Sequence, residues 1–371
     1  MSKNVALLTT NFFHPKGDRL IMGGAERYQM DLCRLLRDLG YHVEVWQIGD
    51  SWTKEFDGIK IRGLPVNKTE YNTFPELNMA FYENAMSFDY ALYFILSLAY
   101  PLAREKSIGI SHGVYWDWPG FEVANGKQEN RQEWLRRMSI ALAGPQKLVS
   151  VDTNTINYFN ATLPGFYHKW EYIPNYVDTE LFRPPEETNQ ANDKIRILFP
   201  RRMVPVRGVN ETMRAAEILT QKYPQVEFHF CGRGHDDTME MLMSQWADKH
   251  ERCYYYWKPF EMMPEIYQQA DIVLIPSRST EGTSLAALEA MACGKPVIVG
   301  YAGGLSNLVL QEYNGYLIKP TVENLVASIE ELLHDPNKRK LMGKRGREIA
   351  LSFDKKKWHA KWATVLSSVF S

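Results

Sequence analysis

The sequence predicts an α/β chain of two parallel-sheet domains, and three observations carry that expectation. Residues 270–320 read as strand, loop, helix and strand, the arrangement of a parallel βαβ unit. Ile272–Ile275 is a short β-branched run of the kind buried on both faces of a sheet. The two halves, opening with strands at residues 5–8 and 195–199, alternate short apolar runs with amphipathic helices although their sequences differ, and 371 residues suffice for two cores. The domains are expected over residues 1–185, joined by a C-terminal helix over 354–371, and over residues 186–353. The polar segment 186–193, without apolar periodicity, reads as the linker.

In the first half, the strand at 5–8 leads into a polar, glycine-bearing loop over 9–23. Gly24, Ala25, Glu26 and Arg27 open an amphipathic helix with apolar Met30, Leu32, Leu35, Leu36 and Leu39, stopped by Gly40. Strands are expected at 43–48, 59–64, 88–95 and 108–111. The last ends in His112-Gly113, where a histidine at a strand's carboxyl end is positioned to face a cleft; a satisfied structural histidine is the alternative. Residues 115–126 (YWDWPGFEVANG) are aromatic and irregular. A helix over 128–142, a strand over 147–151 and a short helix capped by Asp152 or Thr153 follow. Breaks at Pro174-Asn175 and Pro184-Pro185 fit a domain boundary.

In the second half, the strand at Ile195–Phe199 enters a loop over 200–208 that carries Arg201, Arg202 and Arg207. Asn210 is expected to cap a helix running to about Tyr223. The strand over 226–230 leads into Cys231-Gly232-Arg233-Gly234. A strand at Cys253–Tyr256, a short helix over 264–269, and helices over 325–333 and 338–350 complete the domain. The tail, residues 353–370, places Trp358 and Trp362 at i, i+4.

The chemistry lies in the loop after Ile275. Thr283 or Ser284 caps a helix running to about Cys293, with Gly294 as its left-handed stop. A helix amino end presents unpaired N–H groups and a positive dipole, so the amides near Gly282, Thr283, Ser284 and Leu285 suit an anion. Glu281 and Glu289 beside that anion are placed to accept hydrogen bonds from hydroxyls, at ~1.5–3 kcal/mol each. An anion site flanked by two hydroxyl acceptors suits a nucleotide sugar.

Composition excludes several classes. A net charge of −1 and a pI near 6.8 argue against nucleic acid as a main partner. Cys33, Cys231, Cys253 and Cys293 show no CxxC spacing, which predicts a reduced cytoplasmic setting and neither a disulfide framework nor a metal site. The amino-terminal apolar stretch is too short for a signal peptide and reads as a strand. The run over 90–103 is too short to span a bilayer and contains Pro101, so the protein is expected to be soluble or at most membrane-associated. The basic run 338–347 (KRKLMGKRGR) reads as an exposed helix, with anionic lipid as the other reading.

Glu281, seven intervening residues and Glu289, within EGTSLAALEAMACGKPVI and followed by Ala302-Gly303-Gly304, resemble the signature of the family 4 retaining glycosyltransferases. Residues 173–184 and 197–208 extend the resemblance. It implies the GT-B architecture, two Rossmann-like domains facing across a cleft with the last helix crossing back to the first. It also implies metal-independent, retaining transfer of a hexose-type sugar from a nucleotide-diphosphate sugar to a hydroxyl of a glycan, glycolipid or small molecule, in surface polysaccharide or glycoconjugate biosynthesis. No cofactor is expected; the chain has no DxD to hold a divalent ion, so Arg202, Arg207 and the helix amino end must supply the positive charge.

By resemblance, Arg202, Arg207 and the amides at 282–285 hold the donor diphosphate, Glu289 the ribose, and Glu281 the transferred sugar. Gly232 belongs to the donor side, Gly23 and Gly24 lie opposite the donor phosphates, and His112 contacts the transferred sugar or the reaction centre. Tyr115, Trp116 and Trp118 suit acceptor binding by stacking on sugar rings, with local loop packing as the alternative. The chain departs from the motif at Arg201 (glycine in the family), Arg207 (lysine) and Asn307 (often glutamate). A dinucleotide-dependent oxidoreductase would need GxGxxG after a first strand; neither half has it, and Gly232-Arg233-Gly234 lacks the third glycine. A non-catalytic nucleotide-sugar-binding protein and a GT-B sugar synthase or phosphorylase remain open.

Overall fold

The structure, a computed structural model, describes residues 3–21, 23–66, 73–113, 128–186, 193–234 and 236–370. Two compact units are present. Among the described residues the first comprises 3–113, 128–174 and 359–370, and the second 175–358.

In the first unit the elements are β1 (Lys3–Leu8), α1 (Gly24–Asp38), β2 (Tyr41–Ile48), β3 (Thr53–Phe56), β4 (Ile59–Leu64), α2 (Thr73–Asn84), β5 (Tyr90–Tyr93), β6 (Ser107–Ser111), α3 (Gln128–Ala143), β7 (Lys147–Ser150), α4 (Thr153–Thr162) and β8 (Trp170–Tyr172). The strands form one sheet in the order β3-β4-β2-β1-β5-β6-β7-β8, parallel except for β3 against β4. Val5, Ala6, Leu7 and Leu8 are fully buried, as a central strand covered on both faces requires. Gly40 closes α1 in the left-handed region (φ 86°), its N–H donating to the Arg37 carbonyl. The strand expected over 88–95 is limited to Tyr90–Tyr93, because the chain turns at Leu96–Ala99. Strands β3 and β8 carry no continuous apolar run: both lie at sheet edges with little of their surface buried, so periodicity does not mark them.

The second unit contains β9 (Ile195–Phe199), α5 (Val209–Lys222), β10 (Val226–Cys231), α6 (Asp237–Lys249), β11 (Cys253–Tyr256), α7 (Met263–Gln269), β12 (Ile272–Ile275), α8 (Leu285–Ala292), β13 (Val297–Gly300), β14 (Gly315–Ile318), α9 (Val322–His334) and α10 (Pro336–Ala350), followed by α11 (Lys355–Val369). Its sheet is wholly parallel, in the order β11-β10-β9-β12-β13-β14. The cap of α5 differs from expectation. The helix starts after Gly208, which stands at φ 81° with an added Cβ only 2.3 Å from the Pro276 carbonyl oxygen, so Asn210 lies inside the first turn.

The division between units falls at Pro174/Asn175, ahead of the boundary expected after residue 185. The reason is packing: Val177 and Phe182 are buried in the second unit's core, with the Phe182 and Tyr267 rings 5.9 Å apart. Residues 355–358 of α11 also group with the second unit, where Trp358 packs on Tyr176 at 4.4 Å. Residues 359–370 group with the first. There Trp362 is fully buried and its Nε1–H donates to the Tyr28 hydroxyl at 2.8 Å, while Phe370 stacks on Tyr90 at 4.3 Å. Most of the expected linker lies outside the described residues. Among the described residues no helix is long and apolar enough to cross a membrane.

Candidate active site

In the second sheet the strand order reverses between β9 and β12, since β10 and β11 lie on one side and β13 and β14 on the other. Open α/β sheets bind ligands in the crevice at the carboxyl ends of the two strands flanking such a reversal. Chain geometry therefore brings two segments together here: Arg201 to Arg207, after β9, and Ser277 to Ser284, after β12.

Of the two expected caps of α8, the structure selects Ser284. Its Oγ accepts from the Ala287 N–H at 3.4 Å, and Gly294 ends the helix at φ 71°. Thr283 is held differently. Its Oγ1 accepts from the Asn175 N–H at 2.8 Å, and its carbonyl accepts from the Asn175 side-chain amide. This fully buried hydroxyl is thus committed to the Pro-Asn turn, a use of that turn that spacing alone did not reveal.

Glu281 is the centre of the cluster. Its Oε2 accepts from Arg207 Nη1 at 2.6 Å, from Ser277 Oγ at 2.7 Å and from Arg201 Nη2. Arg201 also donates through Nη1 to Ser284 Oγ at 3.0 Å and through Nη2 to Ser277 Oγ at 3.4 Å. Burial alone would raise the Glu281 carboxyl, but Arg201, Arg207, Ser277 and Ser284 together hold it below the usual carboxylate range. The same burial lowers Arg201, which remains a cation. Two glycines make this possible. Gly303, at φ 46°, sits so close to Glu281 that an added Cβ would lie 1.7 Å from its carbonyl oxygen, which accepts from the Gly304 N–H at 2.9 Å. An added Cβ at Gly232 would lie 2.1 Å from the Arg201 carbonyl oxygen. Gly232 thus acts on the site by letting β10 approach the Arg201 backbone. Thr280 is left-handed at φ 50°, an uncommon state for a β-branched residue, and its carbonyl accepts from Arg207 at 3.0 Å.

Arg202 points the other way in character. It is exposed, its carbonyl accepts from the Val204 N–H at 2.9 Å, and its side chain makes no hydrogen bond or ion pair among the described residues. Glu289 is buried inside α8, and its Oε2 accepts from the Tyr267 hydroxyl at 2.9 Å. Arg233 stacks on the half-exposed Trp257 ring at 4.1 Å, at the ends of β10 and β11. Arg201, Ser277, Asn175 and Tyr267 were the site neighbours not anticipated as such; only Arg201 carried a signal, as a second cation adjoining Arg202. Among the described residues no group of three or more His, Cys, Asp or Glu is arranged to hold a metal ion.

In the first unit the strand order reverses between β1 and β5. Gly23 is the residue preceding α1, whose first residue is Gly24, and the loop before it is pinned by Gln47, whose Oε1 accepts from the Phe12 and Phe13 N–H groups at 2.8 and 2.7 Å. His112 follows β6. Its ring packs 4.3 Å from Phe94 and 5.0 Å from Tyr28, and its Nε2 is shielded from solvent with no hydrogen-bond partner among the described residues. Burial pushes its pKa down to about 4, so the imidazole is neutral at pH 7. Tyr115, Trp116 and Trp118 lie outside the described residues.

Residues 183–349 match the family described as "Glycosyl transferases group 1". Over 208 residues, 52% of this chain and 54% of the relative, the sequence is 28% identical to the GDP-mannose-dependent alpha-(1-6)-phosphatidylinositol monomannoside mannosyltransferase of Mycolicibacterium smegmatis. The chain spans about half the length of the curated relatives it matches. Two solved structures share its fold: sucrose-phosphate synthase from Thermosynechococcus elongatus (TM-score 0.78, 19% identity, 99% of each chain) and Anabaena HepE in complex with UDP (TM-score 0.74, 19% identity, 99% of this chain and 100% of that one). The chain has the GT-B fold, and its residues 183–349 are similar to the group 1 glycosyltransferases.

Proposed function

We propose that this protein moves a hexose-type sugar from a nucleotide-diphosphate sugar to a hydroxyl of a glycan, glycolipid or small-molecule acceptor, with retention and without a metal ion. The observation that carries the reading is the meeting, at one strand reversal, of a serine-capped helix amino end, a buried carboxylate and two guanidinium groups, with the exposed Arg202 adjoining them. The helix end and the guanidiniums match a diphosphate leaving group in charge. Arg202, with all its donors uncommitted, is the group free to meet the phosphates. Glu289 is assigned to the ribose and Glu281 to the transferred sugar; the parts of Gly23, Gly24 and His112 rest on the resemblance. In the reaction, the acceptor oxygen bonds to the anomeric carbon as the bond from that carbon to the phosphate oxygen breaks. The acceptor proton passes to the departing phosphate, which leaves with the bonding electrons. Retention follows when both events occur on one face of the sugar.

The test uses purified protein and a donor panel that includes UDP-glucose and GDP-mannose. Arg202→Ala is expected to lower transfer or slow donor hydrolysis by about 10²–10³-fold with unchanged melting, because the residue is exposed and holds nothing in the fold. EDTA is expected to leave the rate unchanged. Undiminished turnover by the variant refutes the site, and strong inhibition by EDTA refutes the metal-free reaction.

A further inference from the structure

The resemblance to the family 4 retaining glycosyltransferases puts glycine where this chain has Arg201, yet the structure builds that arginine deep into the site. We infer that Arg201 is a positioning residue, a permanent counter-cation that keeps Glu281 paired while Arg207 turns to the donor diphosphate. The inference rests on the donor-site reading above and deepens it.

The two guanidiniums share Glu281 Oε2 but are held very differently. Arg201 uses both terminal nitrogens, on Glu281, Ser277 and Ser284, and so spans the loop from the end of β12 to the cap of α8. Arg207 hangs by Nη1 alone, on Glu281 and the carbonyls of Thr280 and Ser279, the last at 3.5 Å. Its Nη2 and Nε carry no hydrogen bond among the described residues. Three donors crowd one carboxylate oxygen, which has two lone pairs, so Arg207 is the weaker-held partner. A diphosphate arriving at the amino end of α8 competes for Arg207. Were Arg201 a glycine, that exchange would leave Glu281 buried, unpaired and beside a second anion, an arrangement both burial and like charge oppose. With Arg201 in place the carboxylate stays paired throughout, and Arg207 meets the phosphates without stripping Glu281 of its charge balance.

Calorimetric binding of UDP, GDP and inorganic pyrophosphate to the full chain between pH 5.5 and 8 tests this. Arg201→Gly is expected to bind about tenfold more weakly than wild type at pH 8. The ratio should shrink as the pH falls, because protonation of the now unpaired Glu281 removes the repulsion. Arg201→Lys should recover most of the affinity. A variant equal to wild type at every pH, or weakened by one constant factor across the range, overturns the inference. If Arg201→Gly does not fold, Arg201→Gln, which keeps hydrogen-bond donors for the two serines but no charge, is measured and read in the same way. A wild-type protein that binds none of the three probes overturns the donor-site reading itself, a different result from a wild type that binds and a variant that does not differ.

Discussion

His112 shows how a single ring acquires a fixed charge state. Packed on Phe94 and Tyr28, it is held neutral, with its pKa near 4 against 6.5 for a free imidazole. Between those values the unfolded chain binds a proton that the folded one refuses. The stability His112 contributes is therefore complete above pH 6.5 and declines as the pH falls toward 4, by up to about 3 kcal/mol. Urea unfolding at pH 4.5 and 7 should show a smaller difference for His112→Asn than for wild type; an identical difference would mean the ring titrates normally. A neutral imidazole also leaves Nε2 as a buried hydrogen-bonding nitrogen and not a fixed cation.

The element that makes the site is the connection from β12 to α8, closed by the turn after β13. Gly303 presses against the Glu281 carbonyl from that turn, so the carboxylate's position depends on a residue two elements away in the chain. Gly303→Ala meets both a steric overlap and a left-handed backbone, and is expected to cost ~1–3 kcal/mol in thermal or urea unfolding and to lower donor turnover with it. Gly165→Ala, where an added Cβ has open space, serves as the control and should melt like wild type. Equal melting of the two variants would show that the close approach does not constrain the loop.

At the scale of the molecule, the final helix supplies core to the unit that begins the chain. Trp362 is fully buried there and gives Tyr28 a hydrogen bond, and Tyr28 in turn packs on His112. Trp362→Ala removes a large buried side chain and leaves the Tyr28 hydroxyl without that donor, so the expected loss is ~3–5 kcal/mol. Denaturant unfolding followed by near-ultraviolet circular dichroism checks it. A loss under about 1 kcal/mol would mean that the tail contributes little to the first unit.

Much of this was legible in the chain itself. Parallel strands buried on both faces are nearly continuous apolar runs, so β1, β9 and β12 declare themselves, and a cap and a left-handed glycine bracket α8. Glu281 and Glu289 stand out because they lie within one short strand–loop–helix stretch, where local spacing suffices. The edge strands β3 and β8 escaped because half-exposed strands need no apolar run. Arg201 looked like a departure from a motif because its partners, Ser277, Glu281 and Ser284, are distant in sequence and meet it only where the strand order reverses. Which arginine ties the carboxylate to the two serines through both terminal nitrogens, which hangs by one and whose side chain bonds to none of the described residues is set by side-chain geometry across β9 and β12. Sequence determined the kind of fold and put Glu281, Glu289, Arg202 and Arg207 forward as candidates; only the tertiary structure brought Arg201 and Ser277 to Glu281 and decided the pairing, because burial and charge act through space and not along the chain.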